Sequence, residues 1–258
     1  MWPENARVRT IGLACTVAAL AWGCGGEVSG DEVTVRMVAQ GATETGDVRQ
    51  FVNTRGWEVE LARAQALIGP IYMYSGEARA SLMERLLGVG VAHACAAHAQ
   101  FQSGRTLAEA PQQFGLDLLG GESVLVESSV AEAGVIRSVE LHVQNPGQVE
   151  AGNTIAASNP EATWTFEGLA RKDGVEIPFE IALTLPEEGT HQIVDSIPAN
   201  MTLEEGATLK LAVQLDRLFR DVDFESMATG ELEPGTQAYN ALLFSLRSRA
   251  AFVWSGGP

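Results

Sequence analysis

From residue 31 onward apolar side chains recur at every second position, stretch after stretch, and that period decides what the chain can build. The clearest case is residues 164–185, WTFEGLARKDGVEIPFEIALTL. Val175, Ile177, Phe179, Ile181, Leu183 and Leu185 alternate, which on a pleated strand places them all on one face. Lys172-Asp173-Gly174 in front of them supplies a turn, because Asp-Gly accepts the positive φ angles that a tight hairpin needs. The same alternation runs through Val33, Val35 and Met37, through Trp57, Val59 and Leu61, and through Leu209, Leu211, Val213 and Leu215. It runs again through Val135, Val139, Leu141 and Val143, where Ser138, Glu140 and His142 share the opposite face. Many short strands punctuated by Gly, Pro and Asn predict a mainly β fold, an antiparallel β-sandwich.

Two stretches break the period. Residues 77–100, EARASLMERLLGVGVAHACAAHAQ, place Leu82, Leu86, Val89 and Cys95 or Ala96 at helical spacing, with Gly88 and Gly90 interrupting the run. Near the end, Thr236 is placed to cap a helix over TQAYNALLFSLRSRAAF, with Tyr239, Leu242, Leu243 and Leu246 on one stripe. This C-terminal helix is expected to cover an open edge or end of the sandwich. Neither a repeat nor a linker divides the remainder. Residues 32–258 therefore read as a single β-sandwich domain with a helical or loop insertion at 76–112.

The first residues read differently. Arg7 and Arg9 precede an apolar run, IGLACTVAALAW, too short for a spanning helix of about 20 residues but typical of an export signal. Ala21-Trp22-Gly23-Cys24 is similar to a lipoprotein cleavage site, although Ala21 and Trp22 stand where Leu and a small residue are usual. Residues 1–23 are then a signal peptide, Cys24 the lipidated residue and 24–31 a flexible tether. Ala19-Leu20-Ala21 offers the alternative of cleavage after Ala21 and a soluble product. Either way the protein is expected to be exported. The lipid reading places it in the cell envelope, anchored to the outer membrane and facing the periplasm or the surface.

A net charge of −16 repels the phosphate backbone, so no nucleic acid is expected as a partner. Export makes Cys95 conspicuous, since Cys15 leaves with the signal and Cys24 is acylated. A lone thiol in an oxidising compartment is buried and inert, bound to metal, or paired with another molecule. His93 and His98 flank it, and imidazole with thiolate suits zinc or copper. At about 100° per residue Cys95 and His98 share a helix face, whereas His93 joins them only in an irregular segment. Further ligands would come from His142, His191, Glu84 or Met83 by type alone. The alternative is an Ala-rich helix with a buried cysteine and solvated histidines.

Other groupings point away from chemistry. Asp221-Val222-Asp223-Phe224-Glu225 alternates carboxylates as calcium loops do, but Ser226 and Leu232 occupy the positions of the required Gly and acidic residue. A polar turn anchored by Val222 and Phe224 is the expectation. The chain lacks the short signatures of serine hydrolases, zinc proteases and phosphate-binding loops, so no catalysis is expected. Trp57, Tyr72, Tyr74, Trp164 and Phe166 would line a sugar-binding face if exposed; on alternating strands such residues are usually core.

Taken together, GWEVELARAQALIGPIYMY, the His-containing stretch after it, DRLFRDVDFESM and TQAYNALLFSLRSRAAFVW resemble exported lipoproteins of myxobacterial type. The resemblance covers most of residues 31–258. It implies a metal-associated periplasmic protein, accessory to metal uptake, with a His-rich element after the GPIY strand. His93, Cys95 and His98 stand in that place, the cysteine departing from a His-Ala-His run. The expectation is a lipid-anchored envelope protein that binds or delivers zinc or copper, partnered by the membrane and by an envelope protein or metal transporter. Its alternatives are a non-catalytic structural or protein-interaction lipoprotein and a carbohydrate-binding sandwich.

Overall fold

The computed structural model describes residues 30–76, 104–143, 162–185, 192–227 and 230–257. The fold is mainly β, as the alternation predicts, with sheets of antiparallel strands and few helices. In the first sheet β1 (Glu32–Ala42) lies between β7 (Ser123–Glu132) and β12 (Thr208–Gln214), with β13 (Phe252–Gly257) outside β12. In the second, β3 (Glu58–Ile68) has β9 (Trp164–Lys172) and then β10 (Val175–Leu183) on one side. Along its other edge run β2 (Gln50–Val52) and then β6 (Phe114–Asp117). The third sheet orders β11 (Ile193–Leu203), β8 (Gly134–His142), β4 (Ile71–Tyr74) and β5 (Thr106–Ala110). Among the described strand pairings one is parallel: β1 runs alongside β12 from Arg36↔Thr208 to Ala42↔Gln214.

Alternation becomes packing as expected. Val35 and Met37 of β1, Val59 and Leu61 of β3, Val139 and Leu141 of β8, and Leu209 and Leu211 of β12 are buried in one continuous core. The β9–β10 hairpin closes through Asp173 (φ 50°) and Gly174 (φ 81°), with Lys172 opposite Val175. Ile181 and Leu183 of its outgoing strand are buried, while Val175 at the turn is exposed. Between β3 and β4 the chain crosses from the second sheet to the third at Gly69-Pro70. Gly69 has φ 103°, and a side chain there would run into the Gln112 carbonyl oxygen, so only glycine serves.

Thr236 does cap a helix, α1 (Gln237–Leu246), its Oγ1 accepting from the Tyr239 N–H at 3.3 Å. The buried residues are Ala238, Leu242, Ser245 and Leu246, so the stripe is turned about one residue from the expected one. Small side chains at 238 and 245 let the helix lie close against the turns Leu215–Leu218 and Phe224–Met227. Those turns are what it packs on. Nor does the helix end the fold, for β13 follows and pairs with β12. Within the expected 76–112 insertion, Thr106–Ala110 is strand β5, paired with β4.

Candidate functional site

The third sheet carries a polar face part of which is not solvated. Ile71 and Met73 of β4 and Val139 and Leu141 of β8 point into the core, so the pleat turns Tyr72, Tyr74, Ser138, Glu140 and His142 to the other side. Polar residues facing away from a core are ordinarily wet. Yet Ser138, Glu140 and His142 are only 1%, 4% and 5% exposed. The register sets Tyr72 beside Glu140 and Tyr74 beside Ser138, with Glu109 of β5 on the far side of Tyr72.

At the centre His142 Nε2 lies 2.7 Å from Glu140 Oε1. The Tyr72 ring stands edge-on to the imidazole, centroids 5.7 Å apart at 71°. The main chain of His142 is fixed by the crossover itself: its N–H donates to the Pro70 carbonyl at 2.9 Å, and its carbonyl accepts from the Gly69 N–H at 2.8 Å. Four residues before His142 on β8, Ser138 Oγ donates to the Gly76 carbonyl at 2.7 Å. Gly76 and Gly104 are the described ends of the stretch that joins β4 to β5. Ser75 and Arg105 tie those ends together, N–H to carbonyl one way and N–H to Oγ the other, both at 2.9 Å. Arg105 in turn pairs with Glu132.

Burial, followed by the charges of Glu109 and Glu140, raises the Tyr72 phenol above its ordinary range. Burial likewise holds the Tyr74 phenol far above that range, with Glu140, Tyr72 and Glu109 adding to the effect. Burial there disfavours charge of either sign, and the two carboxylates add to the cost of a further negative one. Imidazole is the one nitrogen ligand of the face among the described residues.

Sequence reasoning reached only part of this. It placed Ser138, Glu140 and His142 on one face and named His142 as a ligand by type. It did not join Glu140 to the imidazole or bring Tyr72 against it. His93, Cys95, His98, Cys24, Met83, Glu84 and His191 lie outside the described residues. Among the described residues no three His, Cys, Asp or Glu side chains converge as a ligand set. Trp57, Trp164 and Phe166 are wholly buried, which removes three of the five aromatics from any sugar-binding face. The 221–225 turn is a polar turn as expected: Val222 and Phe224 are buried, and Asp223 Oδ1 accepts from Trp57 Nε1 and the Glu225 N–H, each at 3.3 Å.

Comparison with known proteins adds little. No family model matches the chain, and no curated protein does. Among solved structures it is similar to MbnP from Methylosinus trichosporium, with TM-score 0.39 and 9% identity over 90% of this chain and 100% of that one. No described helix is long and apolar enough to cross a membrane.

Away from this face, an open cleft of about 660 Å³ is lined by Glu60, Glu167, Arg171, Phe179, Glu180 and Glu231 among others. Arg171 holds Glu60 at 2.8 Å and Arg63 holds Glu167 at 2.6 Å. These ion pairs are partly exposed and bridge β3 to β9, so they read as sheet-surface pairs of small energetic weight.

Proposed function

We propose that this is an exported, lipid-anchored envelope protein that binds a transition metal, zinc or copper, with His142 as a ligand. The observation that carries the reading is the buried Glu140–His142 pair, Nε2 to Oε1 at 2.7 Å on the face turned from the core. Withdrawing a carboxyl and an imidazole from water is costly, and an apolar pair of similar volume would serve the fold as well. Imidazoles that bind metal, by contrast, regularly hold a carboxyl on the second ring nitrogen. The remaining ligands are those expected from the sequence, His93, Cys95 and His98, which belong to the stretch between β4 and β5 of this same sheet. The resemblance to exported lipoproteins supports the same reading, with Cys24 as anchor and an envelope protein or transporter as recipient of the metal.

Metal analysis of the full chain tests this, after loading with zinc or copper and exhaustive dialysis. One equivalent is expected in the wild type, with strong losses in His142→Ala and in the triple variant H93A/C95A/H98A. A wild type that retains no stoichiometric metal overturns the reading, and leaves a non-catalytic envelope scaffold in its place. Membrane fractionation tests the anchor: Cys24→Ser should move the protein to the soluble fraction.

A further inference from the structure

We infer that the domain stands on the membrane with the end that carries Gly30 nearest the lipid headgroups and α1 directed away, and that its charge holds it upright on an anionic surface; this rests on the anchor at Cys24 proposed above. The start of β1 fixes which end that is. The Gly30 N–H donates to Glu132 Oε1 at 2.7 Å and the Ala133 N–H to the Asp31 carbonyl at 2.8 Å, so the chain enters beside the junction of β7 and β8. The β11–β12 turn lies at the same end: the Thr34 N–H donates to Glu205 Oε2 and the Gly206 N–H to the Thr34 carbonyl, each at 2.8 Å. β1 then runs eleven residues, Glu32–Ala42, about 35 Å. Beyond its far end Arg217 donates to Glu44 at 3.1 Å, from the turn against which α1 packs. Six residues separate Cys24 from Gly30, and a chain that long spans at most about 22 Å however it runs. An inverted domain, with α1 on the headgroups, is out of reach. Charge then chooses between lying flat and standing. Asp31, Glu32, Glu204 and Glu205 are exposed at the near end, where Arg105 pairs with Glu132, and the whole chain carries −16. A body so charged and tethered at one end is repelled along its length by anionic lipid, and swings its free end outward. That presents α1, whose Phe244 is 76% exposed, to the aqueous side.

Paramagnetic broadening of backbone amide signals reads the orientation directly. The nitrogen-15-labelled full chain is placed on nanodiscs that carry gadolinium-chelating headgroups, through its own lipid where mass spectrometry finds one on Cys24. Where it finds none the anchor reading fails, and the chain is coupled to a maleimide lipid through Cys24 as sole thiol (Cys15→Ser, Cys95→Ser), so that the orientation is still measured. On phosphatidylcholine, Ala133 and Gly206 should be broadened several-fold more than the amides of α1. With phosphatidylglycerol added at low salt, broadening of α1 should vanish and that of Ala133 and Gly206 should weaken. About 1 M salt, where the screening length is about 3 Å, should restore the phosphatidylcholine pattern. Asp31→Asn/Glu32→Gln/Glu204→Gln should blunt the response of Ala133 and Gly206 to anionic lipid. Broadening of α1 equal to or above that of Ala133 and Gly206 overturns the orientation. The same pattern on neutral and anionic discs at low salt overturns the part assigned to charge.

Discussion

Asn53 joins the β2–β3 turn to the segment after β12 through a side chain with every polar atom engaged. Its Nδ2 donates to the carbonyls of Phe219 and Val222 at 3.2 and 2.8 Å, and its Oδ1 accepts from the Arg55 and Trp57 N–H groups, each at 3.0 Å. The residue is 6% exposed, so removing it strands backbone groups away from water. Asn53→Ala should destabilise the fold by about 2–4 kcal/mol in urea unfolding. Asn53→Asp should not rescue it, since a carboxylate cannot donate to two carbonyls. A loss below about 1 kcal/mol would mean that water replaces the network. No local pattern announces the far half of this network, because the carbonyls that Nδ2 reaches lie some 166 and 169 positions away. Glu140 was obscure for the related reason that a polar residue on a strand's outer face looks solvated until the neighbouring strands are known.

Strands and turns were the legible level. A period of two names both the strand and its buried side, and Asp173-Gly174 named the hairpin. Gly174 has φ 81° with open space around it, so the cost of a side chain there is conformational alone. Gly174→Ala should lose about 1–2 kcal/mol, measurable as a lower urea midpoint at unchanged slope. What alternation did not reveal were strands too short to show a period, β2 and β6, and the parallel partnership of β1 with β12, which is a matter of topology. Strand β4 carries a prediction of its own through Tyr72 and Tyr74, whose phenols are raised by burial first and by Glu109 and Glu140 after it. A raised phenol pKa in the folded state favours the neutral form. Its stabilisation is complete below the unfolded value near 10 and is lost as pH climbs toward the folded one. The wild type should therefore lose stability above about pH 10 more steeply than the Tyr72→Phe/Tyr74→Phe variant. Parallel alkaline profiles of the two would remove the buried phenols from the account.

At the scale of the whole molecule, the third sheet joins strands that the sequence scatters. His142 closes β8, Tyr72 is the second residue of β4, two after the crossover at Pro70, and in sequence the stretch holding His93, Cys95 and His98 lies between β4 and β5. That β4 lies between β5 and β8 follows from pairings between distant strands, which no spacing encodes. A ligand shared between elements has a global consequence. A metal that binds only the folded chain lowers its free energy by RT ln(1 + [M]/Kd), about 2.7 kcal/mol at one hundred times Kd. For a domain of this size each kcal/mol raises Tm by about 2–4 °C, so saturating zinc or copper should raise the melting temperature by about 5–11 °C. Binding of metal to unfolded His and Cys would trim the shift, which makes the comparison between variants decisive. His142→Ala should melt at the same temperature with and without metal. A shift of equal size in wild type and His142→Ala would place the metal away from the third sheet, and with it the function proposed for that face.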